Sequence, residues 1–194
     1  MTDDLTPNYP PADLQFQNAI LQQAHSHILE YGLHVQAVLP LASDPNPEPG
    51  WVYTIGLNAL DGLPDLIVSG LPSQLAQTLL NSLARQLRNG SVELPRDLNV
   101  DLHTVLQGFP ARLRAVHSSQ HDDHVGMALA YQATLDHLPG RSGQATALRF
   151  VQLLLPDREG RFPGEPDVSP SWDAATLLLD QPTGSGTSTP NPLA

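Results

Sequence analysis

The side chains in this chain best suited to chemistry are arginines and histidines. Arg112 and Arg114 stand two apart in an alternating stretch, so on a strand both project to one side. Arg149 interrupts a long apolar run, and Arg158 and Arg161 flank a tight turn within Asp157-Arg-Glu-Gly-Arg-Phe-Pro163. A guanidinium is a planar fork of donors that matches carboxylate or phosphate geometry. Gathered on one face, these five arginines would seat a small anionic ligand or a protein partner. The competing arrangement is pairing with the chain's own twenty acids.

Histidines form the second constellation. His117, His121 and His124 lie close together, with Asp122 and Asp123 among them. On a helix, positions 121 and 124 project from neighbouring points of one turn, which would let two imidazoles share a metal in a metal-dependent enzyme. No His-Glu-x-x-His pattern supports this, and an exposed polar first turn capped by Ser119 explains the same residues. A third group, Trp51, Tyr53 and Ile55, alternates as one buried face, while His34 and Thr54 of a paired hairpin could line a small pocket.

Composition removes many alternatives. There are no cysteines, which excludes disulfides, thiolate nucleophiles and thiolate metal sites. All nine basic residues are arginine, so no Walker or Schiff-base lysine exists. The sequence holds no G-x-S-x-G elbow, no G-x-G-x-x-G and no P-loop, and it points to no particular cofactor. Asp44-x-Asn46-x-Glu48 imitates the start of a calcium loop, but prolines at 45, 47 and 49 and Ile55 at the twelfth position rule it out.

Net charge is −11, which opposes nucleic-acid binding. The charge is uneven. Residues 1–102 hold eleven acids and three arginines, residues 103–164 five acids and six arginines, and residues 165–194 four acids and no arginine. Only the middle stretch could show a positive face. No apolar run approaches the roughly 20 residues that span a bilayer, so no membrane association is expected. The acidic, proline-rich start is unlike a signal peptide, which leads to a cytoplasmic expectation.

The elements that must position these groups follow from periodicity. Residues 1–12 read as a disordered segment, 13–168 as one domain, and 169–194 as a Pro/Gly/Ser/Thr-rich, mostly disordered tail. Asp13 can cap a helix to Tyr31, stopped by Gly32. Leu33–Leu39 and Trp51–Leu57 alternate as strands of an antiparallel hairpin, and Leu66-Ile67-Val68 suits an interior strand. Pro72 opens a helix carrying Leu75, Leu79, Leu83 and Leu87, with Ala76, Leu80 and Ala84 beside them. Residues 91–108 suggest loop with a short strand, Phe109–Val116 a strand, 119–138 a helix, and Ala147–Leu155 a strand. The order α-β-β-β-α-(β)-β-α-β predicts an α+β fold, a mainly antiparallel sheet with three helices.

Five pieces of the chain resemble the bacterial domain-of-unknown-function family 4262. They are Gly32-Leu-His-Val-Gln-Ala-Val38, Trp51-Val-Tyr-Thr-Ile-Gly-Leu57, Pro64-Asp-Leu-Ile-Val-Ser-Gly-Leu-Pro72, Leu79-Leu-Asn-Ser-Leu83 and Leu155-Pro-Asp-Arg-Glu-Gly-Arg-Phe-Pro163. The resemblance implies domain extent and element order, and it carries no established activity. Leu33, Leu155 and Gly164 stand where family members often have tryptophan, and Leu63-Pro64-Asp65 where they often have His-Pro-Glu. The expected function is a binding module for a small anionic ligand or protein partner. The alternatives are a flavin-type split barrel and a metal-dependent enzyme built on His117, His121 and His124.

Overall fold

The computed structural model describes residues 10–16, 18–40, 43, 48–106, 109–138 and 147–183. Sequence expectations for the first nine residues, the calcium-like loop from Asp44, the Pro139-Gly140 stop and the final eleven residues fall outside these. In chain order the elements are α1 (Ala19–Tyr31), β1 (His34–Val38), β2 (Trp51–Ile55), α2 (Leu57–Asp61), β3 (Asp65–Ser69) and α3 (Ser73–Arg88). They continue with β4 (Val100–Leu106), β5 (Phe109–Ala115), α4 (His121–His124), α5 (Gly126–Asp136), β6 (Phe150–Leu154) and α6 (Pro170–Ala175), plus a 3-10 turn at Ser118–Gln120.

The class is α+β. The six strands form one sheet in the order β1-β2-β3-β6-β5-β4. It is mixed rather than simply antiparallel. The last strand, β6, inserts between β3 and β5, pairing parallel with β3 and antiparallel with β5, while β1–β2, β2–β3 and β4–β5 are antiparallel. Among the described residues β1 and β4 are the edge strands of this sheet.

Six helices appear among the described residues where three were expected. α2, α4 and α6 are four to six residues long, too short to leave a 3.6-residue period in the sequence. The expected 119–138 helix is broken at Val125, whose backbone leaves the helical region. Its first turn is capped by the His117 side chain instead of Ser119. Likewise α1 begins later than Asp13, at the N-cap Asn18, whose side chain accepts from the Ile20 amide.

α3 covers one face of the sheet. Its Ala76, Leu80, Leu83, Ala84 and Leu87 pack with Leu66, Val68, Leu113 and Leu153 from the strands. Leu80 and Leu83 are completely buried, each contributing about 2 kcal/mol through lost apolar exposure. Leu75, expected on that stripe, lies exposed instead. The opposite face carries Tyr53, Ile55, Ile67 and Phe150 against Ile28 of α1 and Ala128, Tyr131 and Leu135 of α5.

Residues 176–181 complete that second face. Gln152, the polar interruption in β6, is fully buried and holds this segment from both ends of its amide, donating to the Leu177 carbonyl and accepting from the Leu179 amide. Ser69 Oγ accepts from the Leu177 amide, and the His117 amide donates to the Leu179 carbonyl. Average composition places residues 169–183 in a tail. They dock because Trp172, Leu177 and Leu179 supply apolar anchors that the average conceals. Gly70 permits the approach, since a Cβ there would sit 2.3 Å from the Ala175 carbonyl oxygen.

Candidate functional site

Two proline–aspartate pairs organise the parts of the chain with the most distinctive sequence. Pro64-Asp65 opens β3, and there Asp65 is only 1% exposed. Its carboxylate accepts from Thr54 Oγ1 (2.8 Å), the Leu57 amide (3.1 Å) and the Asn58 amide (3.3 Å). Thr54 Oγ1 in turn accepts from the Leu66 amide, tying β2 to β3. Gly56 takes φ +116°, letting the chain leave β2 and turn directly into α2. Burial pushes the Asp65 carboxyl up to about 7, against the opposing pull of the Thr54 hydroxyl and the amides at 56–58. The Tyr-Thr-Ile-Gly-Leu piece is therefore a structural lock. Thr54 faces Asp65 and so does not line a pocket with His34.

Pro156-Asp157 follows β6 and builds the loop to Pro163. Asp157 accepts from the amides of Glu159, Arg161 and Ser169 and from Arg161 Nε. The Gly160 amide closes the expected turn on the Asp157 carbonyl at 3.1 Å, with Gly160 at φ +84°. Burial works against ionisation here too, but the surrounding amides and the Arg161 guanidinium win and hold this carboxyl below the usual range.

Around this loop lies a cleft of about 640 Å³. Leu155, Pro156, Phe109 and Trp172 give it an apolar lining, and Arg158, Ser169 and Ser171 stand on its polar side with Asp157 and Glu159. The Trp172 indole donates to the Leu155 carbonyl at 3.0 Å, which fixes the ring. Ser169, Ser171 and Trp172 were missed in the sequence reading. The available signal was Ser169 ahead of Pro170, a helix start with proline in the first turn.

The five arginines separate into three environments. Arg112 and Arg114 do project to one side of β5 and share Asp101, at 3.5 Å and 2.6 Å. Arg112 also meets Glu165, and its guanidinium lies 3.8 Å from the Phe162 ring centroid. Arg161 pairs with Asp157 and Glu159, both at 3.1 Å. These three are already neutralised by carboxylates of the chain itself.

Arg149 is remote from them. It precedes β6 at the other end of the strand, roughly 16 Å from Leu154 at about 3.3 Å per residue, and donates to the Gly62 carbonyl. Arg158 differs again. Among the described residues it makes no ion pair or hydrogen bond, and it lines the cleft.

The histidines do not converge. His117 Nδ1 accepts from the Ser119 amide at 3.2 Å and contacts Ser119 Oγ at 2.9 Å. His121 packs edge-on to Phe150, and burial, only partly offset by the Val116 backbone, lowers its pKa. His124 is buried, with Nδ1 donating to the Gln120 carbonyl and its ring against Trp51. Among the described residues no group of three His, Cys, Asp or Glu side chains could hold a metal ion. His121 and His124 do share one turn, but each ring is engaged separately, His121 on Phe150 and His124 on Trp51 and the Gln120 carbonyl, while His117 caps the Ser119 amide.

Among the described residues no helix is long and apolar enough to cross a membrane. No curated protein and no solved structure matches the chain. A family model does, over residues 27–169, the stretch that runs from α1 through the Asp157 loop to Ser169 and contains all five of the sequence pieces noted above. By that match the chain belongs to the family described as Domain of unknown function (DUF4262).

Proposed function

We propose that this domain is a binding module for a small anionic ligand with a flat apolar body, seated in the cleft beside the Asp157 loop. The observation that carries the reading is the pairing of Arg158, free of carboxylate partners among the described residues, with the apolar lining of Leu155, Pro156 and Trp172. An exposed guanidinium supplies charge recognition, and the fixed indole supplies area without an ordering cost. Arg112, Arg114 and Arg161 serve this site indirectly. By pairing with Asp101, Glu165 and Glu159, they hold the loop and remove much of the negative field an anion would meet.

The test is calorimetric titration with 2-naphthoate and its neutral counterpart 2-naphthylmethanol. The acid is expected to bind about tenfold more tightly, a difference of about 1.4 kcal/mol, and Arg158→Gln is expected to abolish that preference. Equal binding of the two compounds, or an unchanged preference in Arg158→Gln, overturns the reading.

A further inference from the structure

A second cleft, of about 420 Å³, lies between the end of α1, β1 and the outer flank of α3. Periodicity builds it. Gln77, Asn81 and Arg85 recur every fourth residue along α3, just beside the Ala76, Leu80, Leu83 stripe that packs on the sheet. His27 comes from the last turns of α1, and His34 opens β1. None of the chain's twenty acids is among the lining residues, although acids outnumber arginines by more than two to one.

The rim is fixed by an ion pair. Arg88 donates to the Gly32 carbonyl at 2.8 Å and to Asp61 at 2.7 Å, which closes one end of the cleft. Gly32 allows this contact, since a Cβ there would lie 2.9 Å from the Arg88 guanidinium. Among the described residues the Arg85 guanidinium has no ion pair or hydrogen bond, so its charge is available to the cleft. His27 Nδ1 and His34 Nδ1 stand 2.9 Å apart, a distance that needs one ring to donate and the other to accept.

We propose that this cleft binds the phosphate group of a small polar phosphomonoester. A guanidinium, two side-chain amides and the one outward N–H of the imidazole pair line it from three separate elements. A phosphate group offers three terminal oxygens to the same donors. The volume exceeds that of a bare phosphate, and the polar flanks suit a hydroxylated body. The site is separate from the Arg158 cleft and shares no lining residue with it.

Calorimetric titration of the full chain with ribose 5-phosphate, and with ribose as the uncharged control, tests the site. Ribose 5-phosphate is expected to bind and ribose is not. Arg85→Gln is expected to weaken the phosphate ester at least tenfold. Arg96→Gln, at an exposed arginine that does not line the cleft, is expected to leave it unchanged, as is Arg158→Gln. Arg85 is exposed, so folding of the variant is not in question. In wild type, the ring ¹⁵N signals of His27 and His34 are expected to move with the same titration. Equal losses in Arg85→Gln and Arg96→Gln, or ribose binding as tightly as its phosphate, would overturn the proposal. Stationary His27 and His34 signals would do the same.

Discussion

Asp65 and Asp157 perform one task in two settings. Each follows a proline, and each gathers the amides of an adjoining turn onto one carboxylate. Asp65 does so in the core, with only neutral donors around it, and burial raises its pKa to about 7. Asp157 does so beside Arg161 at the edge of a cleft, and its pKa moves the other way. A buried hub fixes the fold, and a hub supported by arginine fixes a surface loop. The difference separates the two most distinctive pieces of the sequence into a structural one and one that shapes a site.

The largest effect expected from this contrast is the loss of Asp65. Asp65→Ala leaves the Thr54 hydroxyl and two amides unpaired in the core, a cost of about 4 kcal/mol, read as a drop in urea midpoint. Asp157→Ala, by comparison, is expected to keep the fold and lose 2-naphthoate binding. A variant at 157 that unfolds while the one at 65 does not would reverse the assignment.

Next comes the sign of the pH dependence. The folded protein retains a proton on Asp65 that the unfolded chain releases above a pH of about 4. The stability from this group is therefore full below that pH and falls away as pH rises through about 7. Asp157, with its lowered pKa, contributes above its unfolded value and loses that contribution in acid. Urea midpoints of wild type and Asp65→Asn from pH 4 to 8 should show wild type losing ground to the variant as pH rises. Parallel curves would mean that Asp65 has an ordinary pKa.

Gly70→Ala tests the packing that brings α6 to the Asp157 loop. The new Cβ meets a backbone oxygen at 2.3 Å, and φ is +75°, so a cost of about 3 kcal/mol is expected. Binding at the Arg158 cleft should fall with it, while binding at the His27–Arg85 cleft persists. The smallest effects separate the arginines themselves. Arg112→Gln leaves Glu165 without its ion-pair partner and Asp101 with Arg114 alone, and removes the contact with Phe162, for about 1 kcal/mol. Arg85→Gln should change stability by no more than about 0.5 kcal/mol. Both are read from thermal denaturation.

Much of the fold was legible where one period persisted long enough. The hairpin of β1 and β2, the interior β3, the α3 stripe and the alternation of β5 all followed from spacing. What stayed hidden was set by contacts between distant segments. Nothing local places β6 beside β3, and nothing near Arg112 announces Glu165, 53 residues away. The Arg112–Arg114 spacing correctly put both on one side of a strand. It could not say that Asp101, on the neighbouring strand, would occupy that side first. The His27–Arg85 cleft was hidden for the same reason, since its parts come from three elements whose patterns each read as ordinary surface.

The docking of residues 176–181 on Gln152 bears on how this domain can be cut. The family match stops at residue 169, yet Leu177 and Leu179 shield β6 and the adjoining apolar face. A chain trimmed to the matched boundary would expose Ile67 and Phe150 together with an unsatisfied carboxamide. It would be prone to self-association for a reason unrelated to any ligand. The folded unit therefore runs past the matched boundary, at least to Leu179.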